Sequence, residues 1–191
     1  MKQFEILEMN GRLPATPARI TEFETEIGSA LPSDYRIFLT KYAGVRIDAV
    51  CPILEPTPFG TEVLTEFFYG FFDFDHTGNS LSEKSAMAEG APTVIPIASG
   101  PFGSQIFLFV SGERKGEVYC FDAEQRAFWP DGQFSRMFSN LSPDIKTYLE
   151  LRRDDKLPSK PSSFTNFYKL ANSFTEYLEA CRTQSDSDSA G

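Results

Sequence analysis

The 191-residue chain has a single histidine, three widely spaced cysteines, and fewer basic than acidic residues, 18 against 27. Each shortage removes a class of chemistry. Ser-His-Asp and Cys-His nucleophilic catalysis both need an imidazole. The one available, His76, sits in Asp73-Phe74-Asp75-His76-Thr77-Gly78, which reads as a solvated turn. No Ser-x-x-Lys pattern replaces it. Cys51, Cys120 and Cys181 form no Cys-x-x-Cys, so zinc lacks its clustered ligands, and buried free thiols in a reducing compartment are expected. Phosphate-binding glycine motifs are missing: Gly100-Pro101-Phe102-Gly103-Ser104 is neither a P-loop nor a dinucleotide fingerprint. No apolar run approaches the roughly 18–20 residues of a membrane span. The start, MKQFEILEMNG, has no apolar core of the signal-peptide kind, so a soluble, cytoplasmic protein is expected.

The formal charge of −9 disfavours nucleic acid, whose phosphates such a chain repels. Arg114-Lys115 and the stretch with Arg152, Arg153, Lys156 and Lys160 read as solvated surface against that background. Asp73 and Asp75 alternate as in a calcium loop. Thr77 at the third ligand position and Lys84 at the twelfth spoil the match, so no metal and no cofactor are expected.

Hydrophobic residues make up 41% of the chain and 19 are Phe, enough for one aromatic core. The pattern centres on Thr93–Asp122. Three apolar runs, TVIPIAS, SQIFLFVSG and EVYCFD, are separated by the Gly-containing turns GPFG and ERKG, which predicts a three-strand antiparallel meander. Alternation puts Ile106, Leu108 and Val110 on one face and Phe107 and Phe109 on the other. Val118 and Cys120 likewise oppose Tyr119 and Phe121, so both faces need cover.

Upstream, Thr16-Pro17 opens a helix carrying Ile20, Phe23 and Ile27 on one stripe, with Gly28 as its stop. After the bend at Leu31-Pro32, Ser33 is placed to cap a second helix with Tyr35, Phe38, Leu39 and Tyr42 on one side and Gly44 beyond its end. Val45–Leu54 and the aromatic Leu64–Phe74 read as strands around a Pro-containing loop, 55–60. Ser80 and Glu83 form a capping box for a short helix. Beyond the meander, Phe128–Gly132 reads as a turn closing an edge strand. Ser142-Pro143 opens a helix with Ile145, Tyr148, Leu149 and Leu151. Arg152–Pro161 reads as a linker, and a last helix runs over about Asn172–Cys181. Residues 1–183 form one domain with an extended segment near 123–167, and 184–191 form a polar, disordered tail.

In order, ITEFETEIGSALPSDYRIFLTKYAGV, TVIPIASGPFGSQIFLFV with GEVYCFD, and ANSFTEYLEAC resemble the SMI1/KNR4 family of the SUKH superfamily. The resemblance implies an α+β fold: a mainly antiparallel twisted sheet of about six strands with helices packed against it. It also implies binding rather than catalysis. Many bacterial members look like immunity proteins that bind a cognate toxin, often a nuclease, and eukaryotic relatives are scaffold-like regulators of cell-wall synthesis.

A non-enzymatic, protein-binding role is therefore expected. The partner would be a basic toxin domain of a polymorphic toxin system, met by an acidic surface with aromatic anchors. Glu55, Glu62, Glu66, Tyr69, Asp73 and Asp75 are the candidate contacts. A general scaffold module without a toxin partner is the alternative. A hydrolase built on Asp73 and Asp75 ranks last.

Overall fold

The computed structural model describes residues 14–42, 44–54, 61–71, 81, 93–101, 104–121, 142–154, 156, 159 and 167–183. Helix α1 (Pro17–Glu26) opens as expected: the Thr16 hydroxyl accepts from the Arg19 N–H, and Pro17 occupies the first helical position. Its stripe of Ile20, Phe23 and the following Ile27 is buried. Gly28, at φ 67°, then turns the chain in the left-handed region. Helix α2 (Ser33–Leu39) is shorter than the periodicity predicts, and Ser33 is its first residue rather than its cap. The extended residue ahead of it is Pro32, which supplies no side-chain cap. Tyr42 lies past the helix yet still packs on the core.

Among the described residues seven strands form one sheet in the order β6-β5-β4-β3-β2-β1-β7, with each described pairing antiparallel. They are β1 (Arg46–Pro52), β2 (Glu62–Phe68), β3 (Val94–Ser99), β4 (Gln105–Phe109), β5 (Val118–Phe121), β6 (Phe167–Ala171) and the two-residue β7 (Arg182–Thr183). The meander is β3–β4–β5, and its faces divide as the alternation requires. Ile106, Leu108, Val110, Val118 and Cys120 are completely buried. On the other face Phe107 packs edge-on against Phe121 and Phe167, while Phe109 meets Tyr119.

Two further helices complete the described fold: α3 (Pro143–Arg153), burying Tyr148 and Leu149, and α4 (Phe174–Ala180). The fold is therefore α+β, with an antiparallel sheet and helices against it. Some boundaries move. The predicted aromatic strand from Leu64 to Phe74 starts at Glu62 and ends at Phe68, because Phe68 turns into the core. Strand β6, FYKLA, has no counterpart in the sequence reading. The expected capping box at Ser80 and Glu83, the turn at 128–132, the loop 55–60 and the tail 184–191 lie outside the described residues.

The sheet is strongly curled. Strands β1 and β6 are five places apart in the order, about 24 Å in a flat sheet. Yet the Leu54 N–H, two residues past β1, donates to the Lys169 carbonyl of β6 at 2.9 Å. The right-handed twist of each strand accumulates until the two ends approach. Helix α4 then carries the chain from β6 to β7 across the inside of the curl. Its Phe174 meets Tyr35 and Phe38 of α2, and its Tyr177 meets Phe68.

Helices α2 and α4 are locked together there. The Asp34 carboxylate of α2 accepts from the Thr175 N–H at 2.9 Å and from its hydroxyl at 3.2 Å, satisfying donors at the start of α4. Ser173 caps the same helix by accepting from the Glu176 N–H, and Glu176 reaches back to the Asn172 N–H. The Asp34-Tyr35 and Ser173-Phe174 pairs thus form one joint, polar at its rim and aromatic beneath.

Candidate functional site

The outward face of β1 and β2 is built by simple alternation. Ile47, Ala49 and Cys51 point inward on β1, as do Val63 and Thr65 on β2. That leaves Arg46, Asp48, Val50 and Pro52 facing out beside Glu62, Leu64 and Glu66. The register sets Val50 against Leu64 and Pro52 against Glu62. Asp48 and Glu66 fall between the Arg46–Phe67 and Ala49–Thr65 pairs, where the register shifts. Both carboxylates therefore lie on the outward face within this irregular stretch of the ladder. Among the described residues neither is in an ion pair.

The other half of the outward face handles charge differently. Glu117 is held by the Lys169 ammonium at 2.6 Å and by the Tyr119 hydroxyl, which donates at 2.9 Å. The Lys169 contact comes first in holding this carboxyl below its usual range, against the opposing effect of burial. The Arg114 guanidinium lies over the Phe109 and Tyr119 rings at 5.6 and 5.7 Å. Acid on β4–β6 is neutralised within the molecule, while acid at Asp48 and Glu66 is left to the solvent.

Of the sequence-predicted contacts, the structure places three. Glu66 lies on this face. Glu62 is at its end and is ion-paired with Arg182 of β7, so its charge is already partly matched. Tyr69 requires a correction: it is only 1% exposed, so its ring is not presented as a surface anchor. Its N–H donates to the Ile97 carbonyl, and its hydroxyl engages Ser99. Burial pushes that hydroxyl's pKa up, the Ser99 bond opposing. Tyr69 is drawn inward because β2 ends at Phe68 instead of continuing its alternation. Glu55, Asp73, Asp75 and His76 lie outside the described residues.

Sequence reasoning missed Asp48, Val50, Leu64 and Phe67. Half-buried Phe67 pairs with Arg46 on one side and Ser99 on the other, and takes the aromatic position assigned to Tyr69. The alternation of β1 about Ile47, Ala49 and Cys51 was the available signal. The face is supported from the adjoining turn by Gly100. A Cβ there would collide with the Leu64 carbonyl and lie 2.7 Å from the Ser104 hydroxyl.

Among the described residues no group of three or more His, Cys, Asp or Glu side chains is arranged to hold a metal ion. No described helix is long and apolar enough to cross a membrane.

Comparison with known proteins fits this architecture. The profile of the SMI1 / KNR4 family (SUKH-1) matches residues 14–180, from the residue before the α1 cap region to the last residue of α4. The chain belongs to the SMI1/KNR4 family. This SMI1/KNR4 domain is also similar to the SPbeta prophage-derived uncharacterized protein YokK of Bacillus subtilis (strain 168), at 31% identity over 130 residues. That match covers 60% of this chain and 66% of the relative, just under two thirds of its length. No solved structure matches the chain. The joint between Asp34-Tyr35 and Ser173-Phe174 gives a physical reason for both ends of the SMI1/KNR4 pattern: each supplies what the other leaves unsatisfied.

Proposed function

We propose that this SMI1/KNR4 domain is a non-catalytic protein-binding module, an immunity protein that binds and neutralises a basic toxin domain of a bacterial polymorphic toxin system. The observation that carries the reading is the outward β1–β2 face, where Asp48 and Glu66 have no ion-pair partner among the described residues and lie beside the apolar Val50, Leu64 and Phe67. A lysine or arginine brought there meets carboxylates on the same face, and the flanking apolar groups supply contact area. The overall charge of −9 adds long-range attraction for a positively charged partner, such as a nuclease whose cleft holds phosphates. Family membership and the prophage origin of a relative support the same setting. Glu55, Asp73 and Asp75, read from the sequence, are further candidate contacts in this proposal.

The test is titration calorimetry against any toxin domain found encoded beside this gene, at about 50 and 200 mM salt. Binding that weakens with salt, and weakens again with Asp48→Asn and Glu66→Gln together, is the expected result. Binding indifferent to both would remove the acidic face from the contact. Absence of any binding would favour a scaffold role with a different partner.

A further inference from the structure

The three cysteines are buried thiols outside any disulfide, and two of them face each other. Strand β7 pairs with β1 in the register Ala49↔Thr183 and Val50↔Arg182. One step further along this antiparallel ladder, Cys51 stands opposite Cys181. Directly opposed residues in such a pair have Cα atoms about 4.5–5.5 Å apart, inside the range a disulfide spans. Cys51 is completely buried and Cys181 is 2% exposed, so both occupy the same side of the ladder, within the core. The Cys51 thiol donates to the Pro52 carbonyl at 3.7 Å. Its pKa is pushed up, first by a hydrogen bond shared with the Cys181 thiol and then by burial. Cys120 is also buried, but it lies on β5, and its thiol is turned to the Tyr168 carbonyl at 3.6 Å.

We propose that Cys51 and Cys181 form a redox clasp: a dithiol that closes to a disulfide and covalently fastens the C-terminal strand β7 to β1. The oxidant is a small-molecule disulfide. One cysteine, as thiolate, attacks a sulfur of that disulfide and expels one thiolate, giving a mixed disulfide. The second cysteine attacks the protein sulfur of the mixed disulfide and expels the other thiolate. The two cysteines lose two electrons and two protons, and the small disulfide leaves as two thiols.

The fold controls access. In the closed state both sulfurs are buried and Cys51 is held as a protonated, unreactive thiol. Strand β7 is two residues long at the sheet edge, held by its pairing with Ala49 and Val50 and by the Arg182–Glu62 ion pair. Edge segments of this size open far more readily than the whole domain. Opening exposes the pair, and reclosing returns the sulfurs to bonding distance. The oxidised form encloses a loop of about 130 residues, long enough for a large stabilising effect.

The purified full chain is incubated with oxidised glutathione, then alkylated and analysed by intact mass and by non-reducing peptide mapping. The expected result is one alkylated thiol in place of three, with a single Cys51–Cys181 linkage, reversed by dithiothreitol. The midpoint of thermal unfolding should rise by about 10 °C on oxidation and fall back on reduction. Cys120→Ala should retain the linkage and Cys181→Ala should lose it. Mapping of the wild-type chain decides the matter even if Cys181→Ala fails to fold. Three free thiols after exposure that fully oxidises the urea-unfolded chain would overturn the proposal. So would linkage through Cys120, or a lower unfolding midpoint in the oxidised form.

Discussion

Tyr35 shows how a single atom can work against the fold around it. Its ring is fully buried against Phe38 and Phe174, yet its hydroxyl has no hydrogen-bond partner among the described residues. A buried polar group left unsatisfied costs about 1–3 kcal/mol. Tyr35→Phe should therefore be neutral or stabilising by about 1 kcal/mol, measured by urea denaturation, against the usual direction for core substitutions. The same hydroxyl sets a pH limit. Burial raises the pKa of Tyr35, and with it that of Tyr177, above the ordinary value of 10.0. Unfolded tyrosines ionise near that value while the folded ones stay protonated. The folded state therefore binds more protons, and stability falls as pH rises beyond about 10. The slope is roughly 1.4 kcal/mol per pH unit for each such tyrosine. Tyrosinate absorbance should appear together with unfolding, and Tyr35→Phe should make the alkaline decline shallower.

Between elements, the decisive contacts are a shared cap and a close approach. Asp34 on α2 serves the start of α4, 141 residues away in the chain. Asp34→Ala should cost about 1–2 kcal/mol, as loss of a helix cap does, and speed amide exchange in α4 before that in α1. Equal acceleration in both helices would show that the contact does not act locally. Gly100 lets the β3–β4 turn lie against the Leu64 carbonyl of β2. Since a backbone carbonyl cannot swing aside like a flexible side chain, Gly100→Ala should cost about 1–3 kcal/mol and lower the thermal midpoint by roughly 3–10 °C. Because Leu64 is also on the outward β1–β2 face, this variant should weaken partner binding as well as stability. Glu24 of α1 takes the Leu31 N–H at 2.9 Å and pairs with Arg36. Burial opposes its ionisation, but these contacts win and hold its carboxyl below the usual range. Their contribution is present above about pH 4.5 and is lost as pH falls through the lowered value. A Glu24→Gln variant should flatten the acid limb of the stability curve.

For the molecule as a whole, curvature of the sheet and distribution of charge matter most. Curling brings β6 to Leu54, and α4 buries Phe174 and Tyr177 in the core while its other face is exposed, so α4 is part of the fold's core packing. Truncation before Phe174 should abolish cooperative unfolding, since Phe174 and Tyr177 are fully buried and large. The outward face divides into a self-neutralised half at Glu117, Lys169 and Arg114 and an unpaired half at Asp48 and Glu66. Charge reversal at Glu66 with Lys should therefore slow association with a basic partner while leaving the unfolding midpoint within about 2 °C of the original.

The meander at Thr93–Asp122, the Thr16-Pro17 start of α1 and the α4 stripe were legible because strand and helix periodicity are local properties of a few consecutive residues. The ordered motifs were likewise enough to suggest the family. Strand β6 was not legible: five residues including a lysine make sense as a strand only beside β5, which donates most of the pairing. Nor could spacing reveal that Tyr69 turns inward while Phe67 holds the rim. That depends on where β2 stops, and β2 stops where Phe68 finds the aromatic core built by α2 and α4. Pairings across 130 or more residues, Asp34 with Thr175 and Val50 with Arg182, come from how far the sheet curls. Twist is summed over all the strands together, so no short stretch of chain carries it.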